Sequence, residues 1–180
     1  MGTSSLGSWN DGAAKRAIVE FVTSAAAEGS PGYVPPMDRV AVFDNDGTLW
    51  VETWGLPREN VIGSAPEFAY RDGTLVRQAV LHGPVALGPG KPEYVLARTG
   101  RLPRLAAGND DVDVEMLRSA RFALLVVHDD AEREYAYTDG ADRARAMAGE
   151  AGWTTVSVKN DWNTVLTARP TQEEPSASCQ

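Results

Sequence analysis

Two carboxylates two residues apart, directly behind a short apolar run, are the part of this chain best suited to covalent chemistry. The stretch reads Val40-Ala41-Val42-Phe43-Asp44-Asn45-Asp46-Gly47-Thr48-Leu49. In an open α/β sheet, ligands bind outside the carboxyl ends of the strands, which is where such a pair would stand. The first carboxylate, Asp44, can attack a phosphorus centre and form an aspartyl-phosphate. The second, Asp46, can protonate a leaving group and later activate water. Gly47 permits a tight turn, and Thr48 can hydrogen-bond locally to hold it. The same residue types also make a plain acidic turn; it is the complete strand, Gly-Thr and Leu context that favours chemistry.

Two further stretches carry charge in suggestive places. Gly90-Lys91-Pro92 follows a Gly/Pro-rich loop at the start of an expected helix. Leu105-Ala106-Ala107-Gly108-Asn109-Asp110-Asp111-Val112-Asp113 is an apolar run ending in an acidic cluster. An acidic helix N-terminus is favoured by the helix dipole alone. A third acidic turn, His128-Asp129-Asp130, closes another apolar run. One His and two Asp in a row do not converge easily on one ion, so it reads as a strand-end turn near the mouth of the site. His82 has no evident partner in the sequence.

Several elements must position these residues. Ala14, Ile18, Phe21, Val22 and Ala25 recur at helical spacing and predict a helix over Asp11–Ala27, preceded by a capping-box pattern at Ser8-Trp9-Asn10-Asp11. Arg39–Phe43 reads as a strand from the buried middle of a parallel sheet. Val61-Ile62 reads as a short strand, and Arg71-Asp72-Gly73-Thr74 as a turn. Pro92–Thr99 reads as a helix with Pro in its first turn, followed by strand Leu105–Ala107, helix Val112–Ala120 and strand Phe122–Val127. Helix Gly140–Ala151, stopped by Gly152, strand Thr154–Val158 and a closing helix Trp162–Thr167 complete the pattern. Trp50, Trp54, Trp153 and Trp162 read as packing residues. Alternating strands and helices argue an α/β fold with a mostly parallel sheet, a three-layer Rossmann-like core. The divisions are an N-terminal helix and linker at 1–37, the core at 38–168, and a Pro/Ser/Glu-rich disordered tail at 169–180.

Phe43-Asp44-Asn45-Asp46-Gly47-Thr48-Leu49-Trp50 resembles the first motif, Asp-x-Asp-x-Thr, of the haloacid-dehalogenase-like (HAD) hydrolase superfamily, and is most similar to its phosphoserine-phosphatase-like branch. The resemblance covers most of Trp9–Leu166. It implies a phosphatase with Asp44 as nucleophile, Asp46 as general acid/base and Mg²⁺ as cofactor, a hard cation suited to oxygen ligands. Lys91 resembles the third-motif Lys, which offsets the charge of nucleophile and phosphate, and Thr48 joins it in the phosphate-binding set. The Asn109–Asp113 segment resembles the fourth motif, giving Asp44, Asp46, Asn109 and Asp113 as the implied metal set. Asn109 stands where the family has an acid, and either Asp110 or Asp113 is left to compensate.

The resemblance also exposes a gap. The family's second motif, an apolar strand ending in Ser or Thr, and its helical cap have no room between Trp50 and Lys91. The chain reads as a family member shortened between about Thr53 and Trp54. Val61-Ile62-Gly63-Ser64 ends in a hydroxyl that could reach phosphate if it took the vacated place, but Ser64 reads first as a turn residue. Loss of the intervening strand would leave the Asp44 strand at a sheet edge. Impaired activity, or none, is one expectation; another is a phospho-acceptor receiver-like signalling domain.

Composition trims the alternatives. With 25 acidic residues against 17 basic, the net charge is −8 and the sequence pI about 4.8. That argues against non-specific nucleic-acid binding, which needs Lys and Arg to neutralise phosphates. No run approaches the roughly 20 apolar residues of a membrane span. Met1–Asp11 lacks a basic segment followed by an apolar one, so no signal peptide is expected and a cytoplasmic location is. Cys179 is the one cysteine, so no internal disulfide can form. The expected partner is a small phosphorylated substrate; the oligomeric state is left open.

Overall fold

The computed structural model describes residues 6–44, 60–134 and 136–165. Asp46, Thr48, the Thr53–Trp54 junction and the tail at 169–180 lie outside the described residues. The protein is α/β. Strands β1 (Ala41–Phe43), β4 (Leu105–Gly108), β5 (Phe122–Val127) and β6 (Thr154–Ser157) form a parallel sheet in the order β1-β4-β5-β6. Strands β2 (Pro66–Arg71) and β3 (Thr74–Leu81) form a separate antiparallel hairpin.

The sheet register explains the layers. Ala106 pairs with Ala123, and Ala107 with Leu124, so successive residues of the inner strands face opposite sides. Ala106, Ala123 and Leu125 pack against helices α3 (Val114–Ser119) and α4 (Asp142–Ala151) through Val114, Leu117, Ala144 and Ala148. Ala107, Leu124 and Val156 pack on the other face against Ala14 of helix α1 (Ala13–Ala26). Phe21 of α1 stacks on Phe122 with centroids 4.6 Å apart. The N-terminal helix is one outer layer of the sandwich. Burial on both faces is why β4 and β5 read as continuous apolar runs. Trp153 and Trp162 pack against the two clusters, as their size suggests.

Four elements differ from the sequence reading. Among the described residues β1 is an edge strand paired with β4 alone, and Phe43 is 45% exposed; this departs from the buried-middle reading of its apolar run and agrees with the edge position expected from the missing segment. Val61-Ile62 forms no strand; the strands begin at Pro66 and turn through Asp72 and Gly73, both at positive φ (49° and 81°). Two positive-φ residues at a two-residue loop match the right-handed twist of a hairpin, which Asp-Gly supplies. The N-cap of α1 is Gly12 with no side-chain cap. Asn10 Nδ2 is instead spent on Asn160 O at 2.7 Å, and Asp11 on Lys15 at 3.0 Å. The closing helix comes earlier, as α5 (Val158–Asp161), capped by the Ser157 hydroxyl. Trp162 then forms a bridge to Trp9 with rings edge-on at 5.2 Å, which pins the two ends of the described core together.

Packing burden is concentrated in the parallel sheet. Leu125 is fully buried between α3 and α4, whereas Leu75 on the hairpin is 66% exposed. Leu125→Ala is expected to cost about 2–5 kcal/mol in urea unfolding. Leu75→Ala is expected to change stability by no more than about 0.5 kcal/mol.

Candidate active site

The site lies at the carboxyl ends of the neighbouring strands β1 and β4. Asp44 directly follows β1, and its backbone N–H donates to Ala107 O at 2.8 Å, extending the parallel ladder by one residue. That bond fixes the Asp44 Cα beside the turn in which β4 ends. The turn begins with Gly108, where a Cβ would lie 2.6–2.7 Å from the Cβ, Cγ and Oδ2 of Asp113. Only glycine lets the Asp113 side chain fold back so closely onto the strand end.

Asp113 is completely buried and uses both oxygens. Oδ2 accepts from the backbone N–H groups of Asn109 at 3.0 Å and Asp110 at 3.1 Å. Oδ1 accepts from Lys91 Nζ at 2.5 Å. Asp110 Oδ1 accepts from Val112 N at 3.1 Å, completing a reciprocal capping box with Asp113 at the 3₁₀ turn Asp111–Asp113. Asp111 Oδ1 accepts from Ala144 N at 2.8 Å, tying this turn to the start of α4. Three acids that read alike in the sequence thus have three different structural tasks.

Lys91 comes from the other side. Helix α2 (Gly90–Thr99) starts two residues earlier than its sequence pattern suggests, so Lys91 sits inside the first turn. The preceding loop is docked by Gly88 N donating to Val112 O at 2.9 Å, which aims the first turn of α2 at the acidic turn. Lys91 Nζ donates to both Asp44 Oδ1 and Asp113 Oδ1. Asp44, Lys91 and Asp113 are 17%, 13% and 0% exposed at the side chain. Burial pulls the Lys91 pKa down, and the hydrogen bonds and charges of Asp113 and Asp44 outweigh it, leaving it above the ordinary 10.5.

The remaining expected residues divide. Ser64 is exposed, and its hydroxyl accepts from Ala86 N at 2.8 Å, anchoring the loop before α2 as a turn residue does. Asp46 and Thr48 lie outside the described residues. His128, Asp129 and Asp130 point to separate partners. Asp129 accepts from Ser157 Oγ and Lys159 N. Arg133 holds Asp130, keeping its carboxyl below the usual range, and reaches the carbonyls of Trp162, Val158 and Lys159. His128 Nδ1 pairs with Glu134 Oε1 at 2.8 Å. Its ring stacks on Tyr137 at 4.5 Å, and Asn109 Nδ2 donates to the Tyr137 hydroxyl at 3.4 Å. Tyr137 was not foreseen; its one signal is an aromatic residue in the loop after a strand that ends beside the site.

The donor chemistry at this edge suits a hard cation, with a carboxylate on Asp44 and a carboxamide on Asn109 at adjacent strand ends. Asp113, expected among the ligands, spends its oxygens on Lys91 and two backbone amides. Among the described residues no group of three or more His, Cys, Asp or Glu side chains converges as a metal site. Nor does any helix among them have the length and apolarity to cross a membrane. No protein-family model matches the chain, and none of the curated proteins matches it significantly.

Lys91→Met removes one cation from two part-buried or buried carboxylates. It should cost about 3–5 kcal/mol near neutral pH, since an uncompensated buried charge remains. The folded pKa of Lys91 lies above 10.5. The wild-type advantage should therefore persist below that value and fade as pH rises through the folded pKa. Urea unfolding of both proteins across the alkaline range measures this. Gly108→Ala should cost about 1–3 kcal/mol by displacing Asp113, read from the same unfolding curves.

Proposed function

We propose that the protein is a Mg²⁺-dependent phosphohydrolase acting on a small phosphorylated metabolite through an aspartyl-phosphate on Asp44. The observation that carries this reading is the ammonium of Lys91 held between Asp44, at the end of a parallel strand, and the buried Asp113. A carboxylate nucleophile approaching an anionic phosphoryl group needs a positive charge beside it, and this ammonium is already in place. The likeness of the Asp44–Leu49 segment to the HAD hydrolases supports the same assignment.

In this mechanism an Asp44 oxygen attacks phosphorus as the bond to the leaving oxygen breaks. Asp46 gives that oxygen its proton. A water molecule, deprotonated by Asp46, then attacks the acyl phosphate, releasing inorganic phosphate and restoring the Asp44 carboxylate. Lys91 offsets the charge gathered on Asp44 and on the phosphoryl oxygens through both steps, and Asp113 holds Lys91 in position. Asp44, Asp46 and Asn109 are the residues that would hold Mg²⁺, which supplies charge neutralisation when bound. Thr48 is the hydroxyl assigned to the phosphate.

Hydrolysis of an aryl phosphate, followed with and without Mg²⁺, tests the proposal. Activity should vanish with a chelator and return with added Mg²⁺. Asp44→Asn should lower kcat about 10³-fold or more, as removing a nucleophile does. Turnover that survives in Asp44→Asn would refute the mechanism.

A further inference from the structure

The loop between β5 and α4 folds back over the carboxyl end of β4. Tyr137 N donates to His128 O at 3.1 Å, and Asp111 N donates to Gly140 O at 2.8 Å, so both halves of the loop are fastened. Within it the Tyr137 ring lies on His128, whose Nδ1 is paired with Glu134. His128 and Glu134 are 8% and 11% exposed at their side chains, so this support is a built part of the interior. The ring of Tyr137 is thereby held from behind while its hydroxyl meets the Asn109 carboxamide.

We propose that Tyr137 is a positioning residue for Asn109, its hydroxyl accepting from Nδ2 and so turning the carboxamide oxygen away from the β5–α4 loop for use as a cation ligand. A carboxylate presents an oxygen whichever way it flips; a carboxamide does not. A half-turn about its last torsion exchanges a lone-pair donor for an N–H group that repels a cation. An Asn in a ligand position therefore needs a partner that tells its two ends apart, and a fixed acceptor beside the nitrogen does so. Tyr137 places such an acceptor at the nitrogen, with His128 and Glu134 holding its ring. The inference rests on the phosphohydrolase reading for the cation, but not for the hydrogen bond.

The test uses the full chain, with Tyr137→Phe keeping the ring and its stacking while removing the hydroxyl. In the Mg²⁺-free protein, the Asn109 side-chain NH₂ resonances should shift in Tyr137→Phe. Mg²⁺ binding by calorimetry should weaken about threefold, the lower range for one hydrogen bond. On an Asn109→Ala background the same substitution should have no further effect on Mg²⁺ binding. Unchanged Asn109 resonances, or equal weakening on the Asn109→Ala background, would overturn the assignment. Wild-type binding abolished by Asp44→Asn but unaltered by Tyr137→Phe would overturn it while leaving the phosphohydrolase reading intact. No Mg²⁺ binding by the wild type would remove both that reading and the ligand role of Asn109, even if the resonances shift.

Discussion

One ammonium between two carboxylates organises this end of the molecule. Asp113 is fully buried, and a buried carboxylate is tolerable only when paired and hydrogen-bonded. It receives two backbone N–H groups and the Lys91 ammonium, which satisfies both of its oxygens. Lys91 in turn joins it to Asp44, which follows the neighbouring strand β1. The pairing therefore spans three elements that are distant in sequence: the end of β1, the start of α2 and the turn after β4. Moving any of them would strand a charge in a part-dry environment.

The rest of the fold follows from holding those elements still. Parallel pairing of β1 with β4 sets two strand ends side by side, and the Asp44 N–H bond to Ala107 prevents slippage at the point of use. The apolar inner strands with α1 on one face and α3 and α4 on the other supply a rigid platform. Against it, the loops carry the polar work. Gly88 docks the approach to α2, Asp110 and Asp111 secure the acidic turn, and the β5–α4 loop closes over Asn109. Chemistry on loops positioned by a packed sheet is the usual division of labour in α/β proteins.

The platform was largely legible in the sequence. Apolar runs gave β4 and β5, a β-branched run gave β6, helical spacing gave α1, and a first-turn Pro and a stopping Gly marked α2 and α4. Asp44, Lys91 and the 109–113 segment stood out and do come together. Part of what was hidden has one physical cause: local and long-range hydrogen bonding draw on the same residue types. Asp110, Asp111 and Asp113 are indistinguishable by sequence, yet one caps a turn, one ties a helix and one holds a lysine. Ser8 through Asp11 match a capping box, but tertiary contacts to Asn160 and Trp162 claim that segment. Val40–Phe43 by itself reads as a buried strand; its edge position in the described sheet was expected only from the segment missing after Trp50. Tyr137 becomes visible only when its loop folds over β4.

The central claim is that Asp44 takes the phosphoryl group. Reaction with a small phosphodonor in Mg²⁺, quenching with hydroxylamine and peptide mapping by mass spectrometry tests it directly. Hydroxamate should form at Asp44, dependent on both phosphodonor and Mg²⁺. Turnover with Asp44 unmodified, or modification at another residue, would contradict it.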